Sequence, residues 1–328
     1  MRALVTGGGG FLGGAVVRAL VARGDNVVSL ARGDYPRLRD SGVETVRGNL
    51  GQARDVLAAA EGCDVVLHVA AKAGISGSAA DYERSNVLGT AHVLQACRQH
   101  GIRRLVHTST PSVVHAGGDI AGGDESLPYA HRFTSAYPRT KAVAERAVLA
   151  ADGEGLSTVA LRPHLVWGPG DTQLVPRILD RGRRGRLRLV SGGGALIDTT
   201  YVDDAAAAHL LAADRLAPGA ACAGKAYFIT SGDPRPVCEV VNAILAAGGL
   251  PPVTTSVPLP VAVAAGIAAE LAWRVLRRRD DPPMTRFLAR QLATAHWFDI
   301  SAARRDLGYT PQVSLDEGMR RLAASLRA

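Results

Sequence analysis

The sequence is poor in lysine and cysteine, and it lacks any uninterrupted stretch of about twenty apolar residues, the length a membrane-spanning helix needs. Only three lysines (Lys72, Lys141, Lys225) stand among 38 basic residues, so a formal net charge of +8 is carried almost wholly by arginine. The densest basic run, Arg181-Gly182-Arg183-Arg184-Gly185-Arg186-Leu187-Arg188, has no interleaved aromatics and adjoins no nucleic-acid-reading motif. It reads as a solvated helix end leading into a strand, and nucleic acid is not an expected partner. The four cysteines (Cys63, Cys97, Cys222, Cys238) are too scattered for a disulfide framework or a metal-ligand set. They read as reduced, small apolar residues, and no metal is expected. No secretory-type leader is read, since Met1 runs straight into the strand-like Arg2-Ala3-Leu4-Val5-Thr6. The expectation is a cytoplasmic protein.

What is present is ample for a packed core: 328 residues, 47% hydrophobic and 21% charged, which excludes disorder and suggests about two domains. Apolar strand candidates at Arg2–Thr6, Asn26–Leu30, Val43–Arg47, Asp64–Val69 and Arg103–Thr108 alternate with helix candidates at Leu12–Arg23, Arg54–Ala60 and Asp81–His100. Strands without a polar face, alternating with helices, predict a doubly wound parallel sheet covered on both sides. A further helix at about Ser135–Ala151 and a strand at Leu156–Leu161 follow. Beyond Arg162-Pro163 prolines and glycines cluster and the alternation becomes irregular. The expected architecture is therefore a Rossmann-like domain over residues 1–166, with return segments near 197–216 and 225–230. The rest of 167–328 forms a smaller, mixed α/β substrate domain. One segment, Val261–Leu276, is apolar almost all round, with a polar stripe of Glu270, Arg274 and Arg277 toward its end. It reads as a buried or interface helix, or more sharply as a wall for a greasy substrate or a shallow membrane contact.

Thr6-Gly7-Gly8-Gly9-Gly10-Phe11-Leu12-Gly13 follows the first strand and opens a helix. Gly7, Gly10 and Gly13 supply a tight turn, close approach of backbone to a pyrophosphate and a close helix–strand contact, which together predict a dinucleotide site. The second strand ends Ser29-Leu30-Ala31-Arg32, without the acid that would hold the ribose hydroxyls of NAD. Arg32 offers a planar cation for a 2′-phosphate, so NADP(H) is favoured, while Asp34 keeps NAD open. Tyr137-Pro138-Arg139-Thr140-Lys141 places a phenol and an ammonium at i, i+4 on one helix face. A neighbouring ammonium is expected to lower the phenol's pKa and make Tyr137 a general acid/base.

The glycine loop and the Tyr137/Lys141 pair together resemble the extended short-chain dehydrogenase/reductases over nearly the whole chain. That resemblance implies a substrate-oxygen role for Thr110 in His107-Thr108-Ser109-Thr110, with Ser109 as the alternative, and a supporting role behind the lysine for Asn86. It also implies cofactor contacts from Phe11, Leu12, Asn49, Leu50, Val69, Ala70, Ala71, Thr108, Pro163 and Val166, besides Gly7, Gly10, Gly13, Arg32, Tyr137 and Lys141. Asn49-Leu50 departs from a commoner Asp-Leu, which makes adenine contact there less certain. Within the family the chain is similar to the 3β-hydroxysteroid dehydrogenase branch. Strings such as Arg32-Gly33-Asp34-Tyr35-Pro36, Thr108-Ser109-Thr110-Pro111-Ser112-Val113 and Thr285-Arg286-Phe287-Leu288 resemble the 2-alkyl-3-oxoalkanoate reductases of bacterial long-chain olefin biosynthesis. The resemblance implies NADPH-dependent reduction of a long-chain β-keto acid, a homodimer, and association with other enzymes of that pathway. Steroid dehydrogenase, nucleotide-sugar epimerase and cofactor-sensing regulator are the alternatives. A dehydratase is disfavoured because Pro111-Ser112, and not an Asp-Glu pair, follows Thr110.

Overall fold

Strands that are apolar on both faces must be covered on both faces, and the chain does this with two layers of helices around one sheet. The computed structural model describes the chain except residues 75, 76, 134, 154, 277–281, 283 and 328. Seven strands form the main sheet: β1 (Arg2–Thr6), β2 (Asn26–Ala31), β3 (Glu44–Arg47), β4 (Val65–His68), β5 (Arg104–Thr108), β6 (Ser157–Pro163) and β7 (Lys225–Ile229). Their order is β7-β6-β5-β4-β1-β2-β3, and every pairing is parallel. Alternate side chains feed two cores. Ala3 and Val5 join Val16, Leu20 and Ala206 beneath helices α1 (Phe11–Ala22) and α4 (Val202–Arg215). Leu4 and Leu30 join Val56, Val93 and Leu94 beneath Ala53–Ala60 and α2 (Gly89–His100).

The strand order reverses at β1, flanked by β2 and β4, so the carboxyl ends of these strands open a crevice where ligands of such sheets bind. In-register pairing sets Thr6, His68 and His107 side by side along that rim. Helix α3 (Ala136–Leu149), which carries Tyr137 and Lys141, packs beside β6.

The span 81–100, expected as one regular helix, is interrupted. Ala79–Tyr82 passes into a π-helical turn, Glu83–Leu88, before α2 begins. Such turns recur at functional sites because the widened ring re-aims a side chain; here it accompanies an inward-facing, buried Asn86.

A smaller four-stranded sheet is built from Arg235–Pro236, Leu196–Ile197, His296–Phe298 and Ile120–Gly123. Its Ile120–Gly123 strand comes from the first half of the chain and carries no strand signal, since two of its four residues are glycine. Gly122 has φ 72°, and a Cβ there would sit 2.8 Å from the Trp297 ring, so the ring needs that position empty.

Helix α5 (Leu259–Val275) follows, and α6 (Arg286–Gln291) packs against it. Of α5, only Ala262 and Gly266 are buried. A Cβ on Gly266 would lie 2.7 Å from the Thr285–Arg286 backbone, so this glycine sets how closely the two helices meet. Of the expected readings, burial of this helix within its own chain is corrected. Its large side chains Val261, Ile267, Leu271 and Val275 face outward.

Candidate functional site: a dinucleotide crevice beside a Tyr–Lys helix

The loop after β1 is shaped by backbone, not by side chains. Gly7 has φ 75° and lies against Ala70, where a Cβ would approach to 3.0 Å. A Cβ on Gly13 would stand 2.1 Å from the carbonyl oxygen of Gly7, which only a glycine avoids. Gly10 caps α1 with no side-chain cap, leaving the first-turn N–H groups available to an anion at the positive end of the helix. The cradle fits the pyrophosphate of a dinucleotide. Phe11 and Leu12 open the same helix and are half-buried. Tyr35, not foreseen as a site residue, lies over the loop: a Cβ on Gly9 would fall 2.2 Å from its ring.

At the end of β2 the described geometry distinguishes the charged candidates. Arg32 is exposed, and its carbonyl accepts from Arg47 Nε at 3.3 Å. The Asp34 carboxylate is held by Arg39, which keeps its pKa below the usual carboxylate value. Asn49 is turned into its own loop: its side chain accepts from Gly51 N–H at 3.0 Å and its N–H donates to Asp55. Leu50 abuts α2, where a Cβ on Gly89 would meet it at 2.8 Å, and its carbonyl is 2.7 Å from His92 Nδ1.

After β4, Val69, Ala70 and Ala71 form the next wall. Ala70 N–H donates to Thr6 Oγ1 at 3.1 Å, and Asn86 clamps the residue just beyond, accepting from Lys72 N–H at 2.7 Å and donating to its carbonyl at 3.1 Å. The second amide hydrogen of Asn86 goes to Thr140 Oγ1 at 3.0 Å, so the side chain ties this wall to α3, one residue before Lys141. Both of its N–H groups are used, and one lone pair on Oδ1 remains. A hydrogen-bond chain fixes the neighbouring His68. Thr90 donates to the Asn86 carbonyl at 2.6 Å, so His68 Nε2 donates to Thr90 (3.0 Å) and Nδ1 accepts from Thr6 (2.8 Å). Burial holds His68 neutral, its pKa pushed down to about 3.

The chemical groups meet between β5 and α3. Lys141 is 2% exposed; its ammonium donates to the Thr108 carbonyl at 2.5 Å and stands 3.2 Å from His107 Nε2. Burial lowers its pKa to about 8, against a smaller opposing pull from Glu145. His107 is fully buried and held neutral, so it accepts from the ammonium through Nε2, which leaves its Nδ1–H buried without a partner among the described residues. Thr108 offers the site only its carbonyl, because its hydroxyl is engaged with His209 Nε2 at 2.7 Å.

The Thr110 hydroxyl donates to Ser112 Oγ at 3.1 Å and lies close enough to the Tyr137 phenol to act on its pKa; Ser109 keeps a buried hydroxyl with no partner among the described residues. The phenol departs from expectation. Its pKa is raised, mainly by burial, with the Thr110 contact opposing. Lysine is not among the groups that set that balance; its ammonium is bonded to Thr108 and His107. A phenol that keeps its proton at neutral pH is poised to donate it.

The loop after β6 closes the crevice. Pro163 ends that strand, and Leu165 holds φ 42°, a conformation rare for a residue with a Cβ, between His164 and the half-buried Val166. His164 Nδ1 is anchored to buried Asp198 at 2.8 Å. Neighbouring Glu145 is fully buried and joined to Arg162 at 2.6 and 3.1 Å, with Tyr129 donating to it at 2.7 Å. Neither the Arg162–Glu145 pair nor the His107–Lys141 contact was visible in sequence. Both join residues more than fifteen positions apart through side-chain direction. Among the described residues no cluster of His, Cys, Asp or Glu forms a metal site, and no helix is long and apolar enough to cross a membrane.

A doubly wound sheet with a glycine-lined anion cradle at its switch point, and a Tyr–Lys helix beside it, defines a nicotinamide-dependent oxidoreductase of the extended short-chain dehydrogenase/reductase class. The 3-beta hydroxysteroid dehydrogenase/isomerase family matches residues 4–260, and the chain belongs to that family. It is 54% identical to a 2-alkyl-3-oxoalkanoate reductase of Stenotrophomonas maltophilia across 100% of both chains. It is 50% identical to the protein of the same name from Shewanella oneidensis, over 99% of this chain and 86% of that one. Among solved structures, MoeE5 in complex with UDP-glucuronic acid and NAD superposes with a TM-score of 0.76 at 28% identity, covering 100% of this chain and 99% of that one. The enzyme acts on a CH–OH/ketone couple with a nicotinamide dinucleotide.

Proposed function

We propose that the enzyme reduces a 2-alkyl-3-oxoalkanoate to the 2-alkyl-3-hydroxyalkanoate with NADPH, within long-chain olefin or β-lactone formation. The observation that carries this reading is end-to-end identity of 54% and 50% to two reductases named for that substrate, combined with a protonated phenol beside a hydroxyl in the crevice. When bound, the dinucleotide supplies the hydride. The Gly7–Gly13 loop and the amino end of α1 would hold its pyrophosphate, Val69–Ala71, Pro163 and Val166 its rings, and Arg32 its 2′-phosphate. An Arg32 at the end of β2 with no ion pair among the described residues, next to an Asp34 already occupied by Arg39, supports NADPH over NADH.

Thr110 and Tyr137 orient the ketone by hydrogen bonds to its oxygen. Tyr137 then gives its proton to that oxygen as negative charge develops there, and its raised pKa keeps the proton available until that moment. Lys141, charged below about pH 8, places a cation in the crevice that stabilises the phenolate left once Tyr137 has given up its proton, and it would bind the ribose hydroxyls. Asn86 sets the position of α3 relative to the wall after β4, and its free lone pair can take a water that resupplies protons.

The test is a panel following NADPH consumption with 2-alkyl-3-oxo acids, 3-ketosteroids and nucleotide sugars. The reading expects turnover of the branched β-keto acids alone. Preferred turnover of a steroid would replace it with the steroid branch of the same family.

A further inference from the structure

His107 sits where an aliphatic side chain would pack without penalty. The ring is fully buried on β5, directly after Leu105 and Val106, and its Nδ1 has no hydrogen-bond partner among the described residues. A buried polar atom left unpaired destabilises a fold, and an apolar residue of similar size avoids that loss. The neighbouring His68 ring lies tilted against it, centroids 5.2 Å apart, and its two nitrogens are engaged by Thr6 and Thr90. Among the described residues the polar contact of His107 is a single one: Nε2 stands 3.2 Å from the ammonium of Lys141.

That contact accounts for the unpaired nitrogen. An ammonium has three hydrogens and no lone pair, so the ring nitrogen facing it must be the unprotonated one. The proton of the neutral ring is thereby placed on Nδ1, where nothing accepts it. Two hydrogens of Lys141 are then committed, one to His107 and one to the Thr108 carbonyl at 2.5 Å, both on the same strand. The third is left for the crevice, toward the phenol and the ribose of a bound dinucleotide.

No other group takes the place of His107. His68 on β4 and His209 on α4 flank it and are themselves held neutral by burial. Glu145, one turn along α3 from Lys141, pulls on the ammonium from a distance, but its oxygens are taken by Arg162 on β6 and by Tyr129. Lys141 is 2% exposed, so without an acceptor at residue 107 one of its N–H groups would be buried and unpaired.

We propose that His107 is a positioning residue for Lys141: its Nε2 lone pair keeps the lysine protonated and its third hydrogen aimed into the crevice. Being fully buried, it acts through Lys141 without reaching a substrate. The inference rests on the role given to Lys141 above, and not on which ketone is reduced.

The experiment exploits the scarcity of lysine. With ¹³C at lysine Cε the full-length protein gives three lysine signals, and Lys141→Met identifies that of Lys141. Its titration is followed by NMR from about pH 6 to about pH 10 in wild type, His107→Leu and His107→Gln. Leucine fills the space without an acceptor, whereas glutamine brings a carbonyl oxygen to the position of Nε2. Loss of a hydrogen bond from a charged donor should lower the proton affinity of Lys141 about tenfold or more in His107→Leu, moving its midpoint down by about one unit or more from about 8. His107→Gln should stay near wild type. The alkaline fall of kcat/KM, measured with whichever ketone the enzyme reduces, should move with the midpoint in His107→Leu; a merely structural role would lower activity at every pH alike. The proposal is overturned if the leucine variant titrates as wild type does, or if glutamine shifts the midpoint as far as leucine. Should leucine not fold, His107→Met is read in its place by the same criteria. The titration needs no substrate, so its failure is separate from failure of the β-keto acid reading, which the turnover panel decides.

Discussion

Replacing Lys141 by methionine should make the protein more stable at neutral pH while removing its activity. The ammonium is 2% exposed, and burial takes its pKa from 10.5 to about 8. A lysine whose folded pKa is depressed costs stability wherever it is charged in the fold. The unfolded chain binds more protons between the two values, so stability rises with pH through that window. A shift of about 2.5 units corresponds to roughly 3 kcal/mol at pH 7. Methionine removes that cost and keeps the aliphatic stem, but it leaves the Thr108 carbonyl without its donor, worth about 1 kcal/mol. Lys141→Met is therefore expected to unfold at higher urea than wild type at pH 7, by about 2 kcal/mol. The gap should narrow by about 2 kcal/mol at pH 9.5, where the wild-type amine is largely neutral in the fold. Urea titrations of both proteins at the two pH values make the measurement. A variant less stable than wild type at pH 7, or a gap that ignores pH, would refute the placement of a buried, strained charge. Wild-type kcat/KM for reduction should fall above about pH 8 as the same proton leaves.

Three further outcomes are expected. Tyr137→Phe keeps the ring and removes the donor; steady-state kinetics should show kcat reduced about 10²–10⁴-fold with cofactor affinity nearly unchanged. Arg32→Ala should weaken NADPH by about 1.5–3 kcal/mol and leave NADH almost untouched in binding titrations, whereas equal losses would show that Arg32 does not read the 2′-phosphate. Gly13→Ala forces a methyl group to 2.1 Å from the Gly7 carbonyl, so fluorescence titration should show dinucleotide affinity falling sharply for both cofactors alike.

The parts of the site legible in sequence are those where backbone or a single helix dictates geometry. Gly7, Gly10 and Gly13 could be read because a Cβ there meets peptide atoms, a constraint that needs no tertiary detail. Tyr137 and Lys141 could be read because i, i+4 spacing places them on one face. Strand–helix alternation gave the parallel sheet for the same local reason. What sequence could not carry depends on direction and surroundings. The π-turn at Glu83–Leu88 is invisible to hydrophobic periodicity, yet it accompanies the inward turn of Asn86. The lysine was expected to depress the phenol's pKa, but its ammonium turns to Thr108 and His107, and burial decides the phenol instead. Val261–Leu276 is apolar by composition, but composition does not say what covers a helix; the fold leaves that face outward.

The most direct test of the catalytic account follows the hydride itself. The enzyme is incubated with a 2-alkyl-3-oxoalkanoate and NADPH carrying deuterium at both C4 positions, and the product is read by mass spectrometry. The account predicts one deuterium, at C3 of the 2-alkyl-3-hydroxyalkanoate, formed by wild type and nearly absent with Tyr137→Phe. A hydroxy acid without deuterium, or no reduction of this acid while a 3-ketosteroid takes up the label, would contradict it.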